Sequence, residues 1–152
     1  MGVEMSLLSV RRSIFINASP ERVWKEFDSQ NRMAAWFGTG HTLDRFEPYL
    51  GGQVELSVEV GGERRAFGGP IVIWEEAREV TMENNWKGDG AWPVPMFFTL
   101  RLTPLYEGTH VELFLHGFER LGADAADNHQ GYESAWDLRH LQALRAIVES
   151  SA

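Results

Sequence analysis

From Gln53 to Phe118 the chain repeats strand-length runs of alternating apolar and polar residues, and after Asn128 the apolar period lengthens to that of a helix. The run Gln53 to Val60 is the clearest. Val54, Leu56, Val58 and Val60 fall on one face, and Gln53, Glu55, Ser57 and Glu59 on the other, the pattern of a half-buried antiparallel strand. Gly61-Gly62 then supplies a two-residue hairpin turn, where positive φ carries no steric cost. Further strands are predicted over Ala66 to Trp74, Glu79 to Trp86, Met96 to Thr103 and Thr109 to Phe118, with a shorter one over Thr42 to Phe46. Turn residues at Glu75-Glu76-Ala77-Arg78, Lys87-Gly88-Asp89-Gly90 and Tyr106-Glu107-Gly108 separate them.

The ends of the chain read differently. Residues 1–8 look like a flexible tail, and Val10 to Ile16 is strand-like, with Val10, Arg12, Ile14 and Ile16 on one face. Ser19 is an N-cap with Pro20 at the first helical position. A short helix follows, with Val23, Trp24 and Phe27 as its stripe, and then a second over about Arg32 to Phe37 that stops at a left-handed Gly38. From about Asn128 to Ser150 the spacing predicts one helix of nearly six turns, capped by Asp127 or Asn128. Its stripe runs through Tyr132, Ala135, Trp136, Leu138, Leu141, Leu144, Arg145 and Val148. A sheet with one apolar face needs a cover, and the long amphipathic helix supplies it. The expected class is α+β: a curved antiparallel sheet wrapped around a long C-terminal helix, with two short helices after the first strand, all in one domain over residues 9–152.

Composition narrows the function. The 152 residues contain no cysteine, which excludes disulfides, thiolate metal sites and cysteine nucleophiles. Fourteen Lys+Arg against 22 Asp+Glu leave a net charge of −8, which disfavours nucleic acid and anionic membranes as partners. No apolar run is long enough to span a bilayer, and no signal peptide is evident at the N-terminus, so a soluble cytoplasmic protein is expected. The six Trp, nine Phe and three Tyr are the unusual count, and such an excess either enlarges a core or lines a concave site.

Ala18-Ser19-Pro20-Glu21-Arg22-Val23-Trp24 followed by Met33-Ala34-Ala35-Trp36-Phe37 resembles the opening of START-like, helix-grip proteins of the SRPBCC superfamily. Gly108-Thr109, His116-Gly117-Phe118 and Trp136 are similar to the branch containing homologues of the activator of the heat-shock protein 90 ATPase. The resemblance covers about residues 10–150. Two positions depart from that branch: Leu115 stands where a His is common, and Ala135 where a Gly often precedes the helix Trp. The resemblance implies a helix-grip fold and a gap between sheet and helix. Its relatives include carriers, cyclases, hydrolases and co-chaperones, so it does not by itself select a function.

No catalytic constellation stands out. No Ser lies in a nucleophile elbow, no Gly-rich segment has phosphate-loop context, and His41, His110, His116, His129 and His140 form no recognised metal-ligand spacing. No catalytic residue, metal or cofactor is therefore assigned. Trp24, Trp74 and Trp136 read as core. Trp36, Trp86 and Trp92 either plug the gap or wall it. Asn84 shares a face with Val80, Met82 and Trp86, where a buried amide needs either a ligand or a backbone partner. The leading expectation is a non-catalytic protein that binds a small apolar or aromatic ligand between sheet and helix. Trp36, Trp86 and Trp92 would form its walls together with Met82, Met96 and Phe98, while Asn84, His116, Tyr132 and His140 would orient the ligand. One alternative, implied by the resemblance, is an interaction module for a chaperone or other protein in stress response. Another is a cyclase- or hydrolase-type enzyme using His116, His140, Tyr132 or Glu83 in the same cavity. The chain is expected to be a monomer or homodimer.

Overall fold

The computed structural model describes residues 8–150. The expected N-terminal tail therefore lies outside the described residues, apart from Leu8, which packs against the core. Strand β1 (Val10–Ile16) leads to α1 (Pro20–Trp24), a 3-10 turn (Lys25–Phe27) and α2 (Gln30–Phe37). Ser19 and Ser29 cap the two helices, each hydroxyl accepting a backbone N–H at 3.2 Å, from Arg22 and Arg32 respectively. Glu26, buried in the 3-10 turn between the two helices, is held by Arg22 at 2.8 Å and Arg32 at 3.3 Å. Gly38 ends α2 with φ −90°, not the left-handed conformation expected. Glycine is required instead by crowding, since a Cβ at Gly38 would sit 2.8 Å from the Ala34 carbonyl.

Strands β2 (Thr42–Phe46), β3 (Gln53–Val60), β4 (Glu63–Glu75), β5 (Glu79–Trp86), β6 (Met96–Leu105) and β7 (Gly108–His116) complete an antiparallel sheet of seven in the order β1-β7-β6-β5-β4-β3-β2. Gly61 and Gly62 take φ 59° and 84° between Val60 and its partner Glu63, the tight turn that the dipeptide implied. Irregularities at Leu43/Arg45 and Ile71/Ile73 bend the sheet into a half-barrel. Gly68 also permits the bend. At φ 133° a Cβ there would overlap the Val54 carbonyl oxygen, so no other residue fits. The concave face carries Leu56, Val80, Met82, Phe98, Leu100, Val111 and Leu113, all buried.

The C-terminal cover departs from the expected single helix. It is divided into α3 (Ala125–Ala135) and α4 (Arg139–Ser150), preceded by a 3-10 segment over Phe118–Asp124. Trp136 leaves the helix at φ −110°, ψ 85°, and its N–H still bonds the Tyr132 carbonyl at 2.8 Å. Asp137 then starts α4, its carboxylate accepting the Arg139 N–H at 2.9 Å. The periodicity runs through the break, so only the capping side chain marks it. Leu141, Leu144 and Val148 of α4 are buried, with α4 packed on β1 and α2, which is the grip of a helix-grip fold. No helix among the described residues is long and apolar enough to cross a membrane.

Candidate functional site

Helix α3 does not close against the sheet. Asn128, Gly131, Tyr132 and Ala135 recur at the spacing of one helix face, and two of those four side chains are among the smallest available. Opposite them stand Val58, Phe67 and Trp86 of β3, β4 and β5. The result is a cleft of about 360 Å³, closed at one end by Gly40, His41, Trp136 and Arg139. The apolar row of β3 records the opening directly: Val54 and Leu56 are buried, Val58 is half-buried at the cleft, and Val60 is exposed. Gly131 faces open space, with nothing within 4 Å of a Cβ built on it.

The closed end is a packed aromatic cluster. The Trp136 indole stacks on the His140 imidazole, centroids 4.4 Å apart and planes 14° apart, and His41 lies 4.5 Å from Trp136 and 5.3 Å from His140. His41 Nε2 is 2.8 Å from the Phe37 carbonyl; a carbonyl only accepts, so this nitrogen carries the proton. Burial and the adjacent His140 push the His41 pKa down to about 4. Burial also lowers His140, whose ring nitrogens make no hydrogen bond of ordinary geometry. Both imidazoles are thus neutral near pH 7, and the cluster behaves as an apolar wall.

At the floor, Asn84 is 1% exposed and its Nδ2 donates to the Tyr132 hydroxyl at 3.1 Å, with Met96 Sδ at 3.4 Å. Its Oδ1 has no partner. The protein partner of this amide is thus a phenol, not the backbone group of a neighbouring strand. Burial drives the Tyr132 pKa well above its ordinary value, so the phenol stays protonated. Having accepted from Asn84, it still has a proton to donate.

The expected site residues separate into three groups. Trp86, Tyr132 and, behind them, Trp92 stand at the cleft. Trp92 packs 6.4 Å from Trp86 and 6.1 Å from Tyr132, and the Asn85 amide clamps its backbone at 2.8 and 3.1 Å. Met82, Asn84, Met96, Phe98 and His140 are buried beneath the cleft and shape it from below. Trp36 and His116 are elsewhere. Trp36 is wholly buried among Phe27 and Phe37 with its Nε1–H on the Glu26 carbonyl at 3.1 Å, so it is core, neither wall nor plug. His116 is on the outer face of the sheet, its Nε2 2.9 Å from Thr99 Oγ1 and its ring between Phe97 and Phe114. The strand alternation that buries Leu115 turns His116 away from the gap. Glu83 shares that outer face, paired in register with Phe97. His116 and Glu83 therefore do not converge with Tyr132 and His140, and the four do not form one proton-transfer site.

Sequence reasoning missed His41, Gly131 and Arg139 as lining residues. The signal for Gly131 was present, since a glycine inside a helical pattern costs stability and usually has a packing reason. Among the described residues, no group of three His, Asp or Glu side chains comes close enough to hold a metal ion.

Comparison with known proteins follows the same outline. No curated protein matches the chain. Among solved structures, protein MLL2253 from Mesorhizobium loti superposes with a TM-score of 0.71 at 17% identity, covering 95% of this chain and 98% of that one. Protein CV1439 from Chromobacterium violaceum gives 0.68 at 22%, with 93% and 96% covered. The Aha1 dimer from Colwellia psychrerythraea gives 0.59 at 14%, with 94% and 97% covered. These likenesses establish the fold: a curved antiparallel sheet gripping a C-terminal helix. The family model described as activator of Hsp90 ATPase homolog 1-like protein matches residues 17–146. That span runs from just after β1 nearly to the end of α4, and the chain belongs to this family.

Proposed function

We propose that this protein binds a small apolar or aromatic ligand, without chemistry of its own, in the cleft between α3 and strands β3 to β5. The observation that supports the reading is the choice of Gly131 and Ala135 on the cleft side of α3, facing Val58, Phe67 and Trp86. A helix interior gives up about 1 kcal/mol by using Gly in place of Ala. Here that small residue preserves a space of about 360 Å³, within the range of small-molecule sites, with aromatic walls on both sides. The buried sulfurs and rings of Met82, Met96 and Phe98 give a floor that adapts to ligand shape.

The test is to fill the space. Gly131→Leu places a side chain where a Cβ meets nothing, so it is expected to keep a cooperative melt while eliminating fluorescence from an apolar probe that the unmodified protein lights up. Gly131→Ala is expected to raise stability by about 0.5–1 kcal/mol from helix propensity alone, read from urea melts. A dark probe with the unmodified protein, together with no aromatic compound raising its melting temperature, ends this reading.

Family membership favours one second reading, a module that contacts a chaperone ATPase or another protein. Stimulation of such an ATPase by this domain, unaffected by Gly131→Leu, would place the activity on a surface and not in the cleft. The Aha1 neighbour from Colwellia psychrerythraea is a dimer, and a homodimer is the assembly that size-exclusion measurements on this chain should look for first.

A further inference from the structure

The cleft has a charge pattern opposite to that of the whole chain. The protein carries 22 carboxylate side chains against 14 Lys and Arg, yet none of the residues lining the cleft is acidic. Arg139 is at the closed end, its guanidinium beside Gly40 and paired with Asp137 at 2.9 Å. A second cation, Arg65, is stacked on one wall of the cleft. Arg65 pairs in register with Val58 and lies two residues from Phe67 on the same concave face of β4. Its guanidinium is 4.4 Å above the Trp86 ring. On the other side it rests against the turn at Gly90, where any Cβ would overlap Nη2.

Arg65 is half-buried and forms no ion pair or hydrogen bond among the described residues. The exposed Arg45, Arg64 and Arg101 all have carboxylate partners. A guanidinium offers five N–H donors in a planar fork, and stacking on an indole fixes the plane while leaving the donor edge free. Such a group, held in place at the rim of an aromatic cleft and lacking an internal anion, is arranged to meet an external one.

We propose that the cleft selects an organic anion, an aromatic or apolar body carrying a carboxylate or sulfonate, with Arg65 as the partner of the charged group and Trp86, Phe67 and Tyr132 around the body. This rests on the cleft being the ligand site. His41 and His140, neutral near pH 7, add no charge of their own, so the preference depends on the arginines. Arg65 is the one whose charge no internal carboxylate offsets.

The experiment separates charge from shape. The neutral fluorescent probe N-phenylnaphthylamine is bound first, then displaced by naphthoate and by its neutral counterpart naphthalenemethanol. Naphthoate is expected to compete about tenfold better, the equivalent of one charge-assisted hydrogen bond, and to lose that advantage as salt is raised. Arg65→Gln should bring the two competitors to equal strength, each displacement being referred to the probe affinity measured for that same variant, and Arg65→Lys should restore part of the difference. Arg64→Gln, on the neighbouring residue paired with Asp44, should leave the ratio as it was. Equal competition in the unmodified protein, or a ratio unmoved by Arg65→Gln, overturns the anion preference while probe binding keeps the cleft as the ligand site. A probe that never binds overturns both.

Discussion

Trp136→Ala is expected to lower stability by about 3–5 kcal/mol, the range for truncating a buried large aromatic. The residue is 3% exposed and touches every layer at the closed end of the cleft. Its ring centroid lies 4.8 Å from Phe98 on the sheet, 5.4 Å from Phe37 on α2, and 4.4 Å from His140 on α4. It also sits at the break between the two C-terminal helices, where the backbone turns the ring inward. Truncation leaves a cavity that α3 and α4 cannot both collapse into, because Tyr132 ties α3 to Asn84 of β5 while α4 is packed on β1 and α2. The loss is a large part of the roughly 5–15 kcal/mol that a domain has in total. Trp92→Ala is the control. Its ring is half-buried in a loop, and the Asn85 clamp holds only its backbone, so it should cost well under half as much while weakening ligand binding. Urea melts of the two variants decide the matter. A Trp136→Ala midpoint near that of the unmodified protein, with Trp92→Ala unfolded, would show that core and cleft had been exchanged.

The sheet was legible in the sequence because alternation and glycine turns are local signals, and each buried row had to match its partner across the strand. The bounds of β2, β3 and β5 agree with the alternation to the residue. The break at Trp136 was not legible, since the apolar spacing continues through it and one carboxylate, Asp137, decides the local conformation. The candidate site was half legible. Parity along β5 correctly put Asn84 and Trp86 on the inner face, and helix spacing put Tyr132 opposite them. Along β7 the same alternation sets His116 with His110 and Glu112 on the face opposite the buried Val111, Leu113 and Leu115, which is the outer one. Trp36 was misplaced because its helix lies under the sheet's rim with its apolar side inward, a relation between elements that spacing alone does not give. Arg65 and His41 carry their roles through what they face across the gap, so no motif announces them.

Lowering the pH from 6.5 to 4.5 is expected to weaken the fold through the closed end of the cleft. An imidazole whose folded pKa is depressed binds fewer protons in the native state than in the unfolded one over the interval between the two values. Stability therefore rises with pH across that interval and is lost as pH falls through it. For His41 the interval runs from the ordinary 6.5 down to about 4. The linkage corresponds to about 2 kcal/mol lost by pH 5 and about 3 kcal/mol by pH 4. His140, shifted in the same direction by burial, adds to the loss. The groups facing the pair explain why protonation finds no compensation. Trp136 and Phe37 are apolar, Arg139 is cationic, and the nearest carboxylate, Asp137, is already bonded to Arg139. The half-buried His116 on the outer face is also lowered by burial, so its contribution is removed separately with His116→Gln. Carboxylates with depressed pKa values, such as Glu47 and Asp137, lose most of their stabilising contribution as pH falls through and below their ordinary values of 4.5 and 3.8, so they weigh on the lower edge of the window and the histidines on the rest of it. Urea melts across that window should show a falling midpoint in the unmodified protein and a much flatter profile in His41→Gln, whose amide can still donate to the Phe37 carbonyl. The same slope in both proteins would mean that the cluster at His41 is already wet enough to hold a proton, and the apolar wall assigned to it would not exist.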